Sequence, residues 1–207
     1  MKQNFILTIV KIVIPVFQIG IAGISNADYF VRDDVITDPK PSHFNICHGG
    51  TCEELAMVSL NQHQWQSVKK IFAKDNSAED ERKSIRRAIA RMETLVGSQT
   101  ETYNDKGENK VDPIDNHYMD CIDESINTTI YLTMLKKNGV IRLHTIEERG
   151  NRGFFFNGWP HTTAVIRDKT TAEHYAVDSW FLDNGELPFI VPLSEWHDGW
   201  RPVKITK

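Results

Sequence analysis

The chain has 207 residues, of which 40% are hydrophobic and 25% are charged. This composition indicates a globular protein and excludes general disorder, and the length predicts one domain. The formal net charge of -4 argues against non-specific binding to nucleic acids and to anionic membranes.

The N-terminal segment has the composition of a secretory signal peptide. It carries two lysines, no acidic residue and two apolar runs, and small residues, Ser25 and Ala27, stand where a signal peptidase reads. The alternative is an uncleaved membrane anchor, although Lys11 divides the apolar run. We predict a signal peptide over 1–27, a single domain over 28–207, and an exported protein that is periplasmic or secreted.

Helical patterns dominate the first part of the domain. A capping-box spacing predicts a short helix over Thr51–Leu60, and apolar residues at helical intervals predict a second over Trp65–Ala73. A longer helix starts at Ser77, and Gly97 is expected to end it. Residues 98–118 are polar and predict a long loop, after which a helix is expected over Cys121–Lys137.

The last third of the chain has strand patterns. Four segments are rich in β-branched and aromatic residues: Val140–His144, His161–Ile166, His174–Trp180 and Pro188–Leu193. A tight turn at Lys169-Thr170 separates the second from the third. The predicted fold class is therefore α+β, with N-terminal helices packed with an antiparallel β-sheet.

The three cysteines limit the chemistry of an exported protein. Cys47 and Cys52 flank a glycine-containing turn that can bring both sulfurs together, which favours a disulfide. Two alternatives remain open: a metal site formed by Cys47, His48 and Cys52, and a reactive Cys52. With the disulfide formed, Cys121 is the odd thiol.

Cys121 stands at the start of a predicted helix. The free amides and the dipole of a helix N-terminus favour a thiolate. Asp120, Asp123 and Glu124 oppose this effect, so activation of the thiol needs a nearby cation, usually a protonated histidine. The alternative is an inert, buried cysteine on the helix face.

His161 and Asp178 supply the missing partners. A two-residue turn at Lys169-Thr170 places them directly opposite each other on one face of a hairpin. A carboxylate beside one imidazole nitrogen fixes the tautomer and leaves the other nitrogen for a thiol. A purely structural histidine–aspartate pair has the same spacing.

A cysteine at a helix start, a histidine on a strand and an aspartate on the next strand follow in that order. Three segments, Asp120–Asp123, His161–Val165 and Tyr175–Ser179, carry this pattern within residues 115–185. The pattern resembles the transglutaminase-like cysteine enzymes, and bacterial transglutaminase-like cysteine proteinases above all. The resemblance implies a papain/transglutaminase-like core.

The resemblance also implies catalytic roles. Cys121 would be the nucleophile, His161 the acid/base and Asp178 the orienting carboxylate. The expected enzyme is an exported thiol-dependent hydrolase or acyl transferase, of the cysteine peptidase or amidase type, that acts on amide bonds of a protein or peptide substrate. It would need no cofactor, bind no nucleic acid, and contact a membrane only through an uncleaved N-terminus. The oligomeric state is left open.

Other residues are candidates for supporting roles. The backbone amide of Cys121 is one expected oxyanion donor. Trp159 is a candidate shield for the ion pair, with core or loop packing as its alternative role. Residues 98–118 and 145–160 are the segments expected to set selectivity. The second oxyanion donor is sought among three residues: Asn116, His117 and Tyr118.

Two other functions remain open at this point. One is a non-catalytic envelope protein that keeps the same fold and binds a partner through its long loop. The other is a metal-dependent hydrolase that uses Cys121, His161 and Asp178 as ligands, although mixed sites of this kind are uncommon for zinc.

Overall fold

The computed structural model describes residues 32–109, 117–153 and 160–203. Within these ranges the chain forms four α-helices, a two-stranded antiparallel sheet and a four-stranded antiparallel sheet. The predicted α+β class is confirmed. The predicted signal segment, 1–27, and Trp159 lie outside the described residues. Of the helices described, none combines the length and the apolar character needed to cross a membrane.

The first element is a β-hairpin. Strand β1 (Phe44–His48) pairs with β2 (Glu54–Val58), and His48 lies opposite Glu54. The helix predicted over Thr51–Leu60 is therefore wrong. Four consecutive residues of the hairpin loop have left-handed backbone angles, with φ between 50° and 83°: Gly49, Gly50, Thr51 and Cys52. An N-cap residue needs an extended backbone, so Thr51 cannot begin a helix here.

Two helices follow the hairpin. Helix α1 (Gln62–Lys69) continues into a 3-10 turn, Lys70–Phe72, close to the second predicted helix. Helix α2 (Ala78–Thr100) begins at the predicted N-cap, Ser77, whose side chain accepts a hydrogen bond from the Asp80 amide.

Helix α2 does not stop at Gly97, as the sequence predicts, but continues to Thr100. Gly97 does not end the helix; it allows Asn184 and the backbone of Tyr103 to pack closely against the helix. A side chain at position 97 would approach the Asn184 amide to 2.6 Å and the backbone of Tyr103 to 3.1 Å. Glu101, with φ of 63°, ends the helix in the left-handed conformation.

Helix α3 (Cys121–Lys137) has the predicted bounds. The carboxylate of Asp120 accepts hydrogen bonds from the amides of Ile122 and Asp123. In return, the carboxylate of Asp123 accepts from the amide of Asp120 at 3.0 Å, which completes a capping box. The helix therefore starts with Cys121 as its first residue.

The last part of the chain forms a meander closed by a short helix. The strands are β3 (His144–Arg152), β4 (His161–Asp168), β5 (His174–Asp178) and β6 (Phe189–Pro192), in that spatial order. Helix α4 (Leu193–His197), which the sequence analysis does not predict, follows at once.

The strand predicted over Val140–His144 is wrong, because only its last residue belongs to β3. The amides of Arg142 and Leu143 donate to the buried carboxylate of Glu81 and so cannot form a ladder. Strand β3 instead occupies 144–152, where the sequence analysis expects a selectivity loop, and it contains a bulge between Glu147 and Gly150.

The hydrophobic core lies on one face of the meander. Ala164, Ile166 and Val177 face this core, which includes residues of α2 and α3. Because side chains alternate along a strand, His161 and Asp178 point to the opposite face. Helix α4 packs there, against β3, β5 and β6, with Trp196 fully buried.

Three buried carboxyl groups lie between α2 and α3. Burial, above all, raises the pKa of Glu93 to about 8 and that of Asp105 to about 6. The same cause raises the pKa of Glu124, to which Glu93 and Asp105 add their charges. Glu93 accepts a hydrogen bond from the Gly185 amide on one oxygen and leaves the other without a partner. Glu93, whose pKa lies above 7, therefore favours the protonated form at neutral pH.

Asn127 of α3 is expected to be essential for holding β1. Its side chain accepts a hydrogen bond from the Cys47 amide at 2.7 Å and donates to the Cys47 carbonyl at 2.8 Å. Asn127→Ala should lower the free energy of unfolding by about 2–5 kcal/mol, because two buried backbone groups lose their partners. Urea denaturation measures the change.

Asn138→Ala at the exposed end of α3 is the matched control, since water can replace its hydrogen bond. It should cost less than about 1 kcal/mol. Equal losses for the two variants would contradict the assigned role of Asn127.

Glu93→Gln should change how stability depends on pH. The folded chain holds the Glu93 proton more tightly than the unfolded chain does, since its pKa rises from 4.5 to about 8. The free energy of unfolding should therefore fall between these two pH values, by up to about 1.4 kcal/mol per pH unit for this group. The variant has no carboxyl group at position 93, so this pH-dependent loss is absent. Its free energy of unfolding should therefore rise relative to that of the wild type between pH 5 and pH 8.

Urea denaturation across this pH range provides the test. Glu148→Gln, at an exposed position of β3, is the control and should follow the wild-type curve. Parallel curves for the wild type and Glu93→Gln would show that Glu93 does not hold its proton as inferred.

Candidate active site

Cys121 is the free cysteine of the chain and the first residue of α3. Its side chain is half-buried, so the sulfur is not sealed in apolar packing. The backbone amide of Thr162, the second residue of β4, lies close enough to the sulfur to favour its thiolate form. This contact places the thiol beside the chain neighbour of His161.

The thiol of Cys121 favours its neutral form. Burial raises its pKa to about 12, and the charges of Asp120 and Asp178 act in the same direction. The Thr162 amide opposes the rise without cancelling it. The acidic neighbours oppose ionisation, as predicted from the sequence, and burial is the larger cause. A base must therefore remove the proton before the sulfur can act as a nucleophile.

His161 and Asp178 are in direct contact: Nε2 of the imidazole lies 2.7 Å from Oδ2 of the carboxylate. The predicted register is wrong by two residues, because the structure pairs Ala164 with Val177 and joins β4 to β5 through five residues, 169–173. A shift of two leaves both side chains on one face, so they meet as diagonal neighbours instead of direct opposites.

Aromatic rings enclose this pair. The rings of Trp180, Phe181 and Trp196 lie 4.7, 5.3 and 5.5 Å from the imidazole, between centroids. The indole nitrogen of Trp196 donates to Oδ2 of Asp178 at 2.8 Å, so one carboxylate oxygen serves two donors. These contacts hold the carboxylate and exclude water from the buried side of the imidazole.

The second imidazole nitrogen is unpartnered. Nδ1 of His161 is buried and has no hydrogen-bond partner among the described residues, and the same holds for the hydroxyl of Thr162. The structure thus brings His161 to Asp178, and brings Cys121 to the residue next to His161. The sulfur and the imidazole do not form a hydrogen bond in this arrangement.

The loop between β1 and β2 packs on the start of α3. A disulfide joins Cys47 to Cys52 across this loop. The amides of Gly50 and Cys52 each donate to the Asp123 carboxylate at 2.8 Å, and the Thr51 amide donates to Asp120. The residues that begin α3 therefore also hold the disulfide loop.

A metal centre has little geometric support in the described part of the chain. The one group there with three potential ligand atoms within 4.8 Å of one another is Cys47, Cys52 and Asp123. The two sulfurs are bonded to each other, so neither is the thiolate that a metal ion needs. Cys121, His161 and Asp178 do not form such a group.

The predicted oxyanion donors contact the disulfide loop. The ring of His117 stacks on His48, and its Nε2 lies 3.5 Å from a carboxylate oxygen of Glu101. The carbonyl of Tyr118 accepts a hydrogen bond from the Gly49 amide. Asn116 lies outside the described residues. His144 is buried, and its Nδ1 lies 2.9 Å from a carboxylate oxygen of Glu81.

Sequence reasoning misses two residues near His161. Trp196 shows no local sign of its hydrogen bond to Asp178, because it reaches the site through α4. Arg152 lies opposite His161 in the sheet and is buried, yet its segment reads as a polar loop. If β3 is recognised as a strand that pairs with β4, its register places Arg152 opposite His161.

No protein-family model, no curated protein and no solved structure matches this chain.

Proposed function

We propose that the protein is an exported thiol-dependent hydrolase or acyl transferase, of the cysteine peptidase or amidase type, built on a papain/transglutaminase-like core. Cys121, His161 and Asp178 would carry the reaction on amide bonds. The observation that carries the proposal is the 2.7 Å contact between His161 and Asp178, with the other imidazole nitrogen unpartnered beside the chain segment that contacts the sulfur. The disulfide supports export, because such bonds persist in oxidising compartments.

Asp178 would fix the tautomer of His161. Its carboxylate accepts the hydrogen on Nε2, which leaves the lone pair of Nδ1 as the base. The same carboxylate stabilises the imidazolium once Nδ1 has taken a proton. Hydrogen bonds of catalytic groups are often long until substrate is bound, so the separation of sulfur and imidazole is compatible with this role.

The raised pKa of Cys121 determines the order of events. Because the resting thiol is neutral, its proton must pass to Nδ1 of His161 as the sulfur attacks the carbonyl carbon. The backbone amide of Cys121 would stabilise the resulting oxyanion. The imidazolium then returns its proton to the leaving amine as the carbon–nitrogen bond breaks and the thioester forms. Water or a second amine releases the acyl group.

One observation favours a second candidate, a non-catalytic envelope protein of the same fold. Burial and the charges of Asp120 and Asp178 keep the thiol of Cys121 neutral, as in an inert structural cysteine. In that protein the contact of His161 with Asp178 would serve stability alone. The two candidates differ in whether the imidazole activates the sulfur.

Alkylation of Cys121 by iodoacetamide distinguishes them, because the other two cysteines are joined and the label reports one site. If His161 is the base, the wild type should react at pH 7 faster than His161→Gln by roughly tenfold or more. Mass spectrometry of timed samples measures the rate.

His174→Gln, at an exposed position of β5, is the matched control and should react like the wild type. If the wild type and His161→Gln share one profile that rises only above about pH 8.5, the thiol is uncoupled and the non-catalytic candidate stands.

Amide cleavage is the direct test. A mixture of acetylated synthetic peptides incubated with the oxidised full chain should acquire new termini, and Cys121→Ala should produce none. Asp178→Asn should be slower by about tenfold or more, because the imidazole loses the carboxylate that orients it.

Asp198→Asn, which alters an exposed aspartate just after α4, controls for surface charge and should retain the wild-type rate. Cleavage that persists at the wild-type rate in Cys121→Ala would exclude Cys121 as the nucleophile. An inactive wild type would favour the binding protein.

A further inference from the structure

Arg152 has an unusual position for an arginine. It is the last residue of β3 and lies directly opposite His161 in the ladder with β4. Residues opposite each other in an antiparallel pair project from the same face of the sheet. Arg152 is 7% exposed, so its guanidinium is largely removed from bulk water beside the imidazole.

The guanidinium and the imidazole share one aromatic neighbour. The central carbon of the Arg152 guanidinium lies 4.3 Å from the ring centroid of Trp196, and one nitrogen donates to the Trp196 carbonyl. The ring of Trp196 also contacts the ring of His161, at 5.5 Å between centroids. Arg152 is therefore part of the wall that surrounds the candidate acid/base.

Within the described residues, the guanidinium of Arg152 has no carboxylate in direct contact. No carboxylate oxygen on a described residue lies within 4.0 Å of its nitrogens. Asp178 acts on it only through space, and both donors to its Oδ2 come from other residues. Arg201 adds a second positive charge nearby. Buried charges in proteins are normally paired, so an unpaired guanidinium at this place indicates an anionic ligand.

We propose that Arg152 binds a carboxylate of the substrate next to the scissile amide, so that the preferred substrates are peptides with a free C-terminal carboxylate from which the last amino acid is released. This inference rests on the proposed function. The planar guanidinium fork matches a carboxylate, and the amino acid's carboxylate is attached one carbon away from the leaving nitrogen that His161 protonates. Arg152, opposite His161 in the sheet, is thus placed to bind the carboxylate of the leaving amino acid.

Binding to Cys121→Ala tests the proposal without turnover. Two pools of acetylated hexapeptides, identical except for a C-terminal carboxylate or carboxamide, are incubated with the full chain, and bound peptides are quantified by mass spectrometry. The carboxylate pool should bind more tightly by roughly tenfold or more. Equal binding of the two pools, or preference for the carboxamide pool, would overturn the proposal, and this comparison needs no change at Arg152.

Substitutions then assign the preference to Arg152. Added to Cys121→Ala, Arg152→Gln should bring the ratio between the pools close to one, whereas Arg152→Lys should retain part of it because the charge remains. If Arg152 has only a structural role, its substitution should weaken the binding of both peptide pools equally and leave the ratio between them unchanged. Arg201→Gln, at an exposed position, should keep most of the preference. A full preference in a folded Arg152→Gln variant would overturn the assignment.

The two proposals can fail separately. If the carboxylate preference depends on Arg152 while the wild type cleaves neither pool, the anion site stands and the proposed chemistry fails. If the wild type cleaves both pools at the same rate, the proposed chemistry stands and the substrate assignment fails.

Discussion

The structure depends on two carboxylates at the start of α3. Asp120 and Asp123 accept the amides that begin the helix, and they also accept three amides of the disulfide loop. The β1–β2 hairpin and the helix are therefore tied at the residue that carries the free thiol. The same tie opposes ionisation, because the charge of Asp120 adds to burial in raising the pKa of Cys121. The contacts that fix the position of Cys121 therefore also make its thiol harder to ionise.

The remaining polar groups fit this constraint. In the proposed mechanism, a thiol that is neutral at rest needs a base. Nδ1 of His161 has no partner among the described residues, while Asp178 accepts from Nε2 and Trp196 donates to Asp178. Behind the helix, burial keeps carboxyl groups such as Glu93 in the protonated form, which spares the site further negative charge. On the sheet, Arg152 supplies the positive charge that a substrate anion would neutralise.

Local patterns predict α3 and the contact of His161 with Asp178 better than they predict the elements around them. The bounds of α3 follow from its cap and its end, which are local in sequence. The contact of His161 with Asp178 follows from side-chain alternation, which survives a register error of two residues. The helix predicted over Thr51–Leu60 fails because a covalent cross-link holds the backbone in left-handed angles. The strand predicted over Val140–His144 fails because Glu81, distant in sequence, binds its amides.

The disulfide loop has a consequence for when the protein can mature. In a glutathione-rich cytoplasm the sulfurs of Cys47 and Cys52 stay reduced, and hydrogen bonds alone must hold Thr51 and Cys52 in a left-handed conformation that is costly for residues other than glycine. If the protein is exported as proposed, the loop that packs on the start of α3, beside Cys121, would be locked only after translocation and oxidation. For an enzyme that cleaves amides, this delay would protect the proteins of the cell that synthesises it.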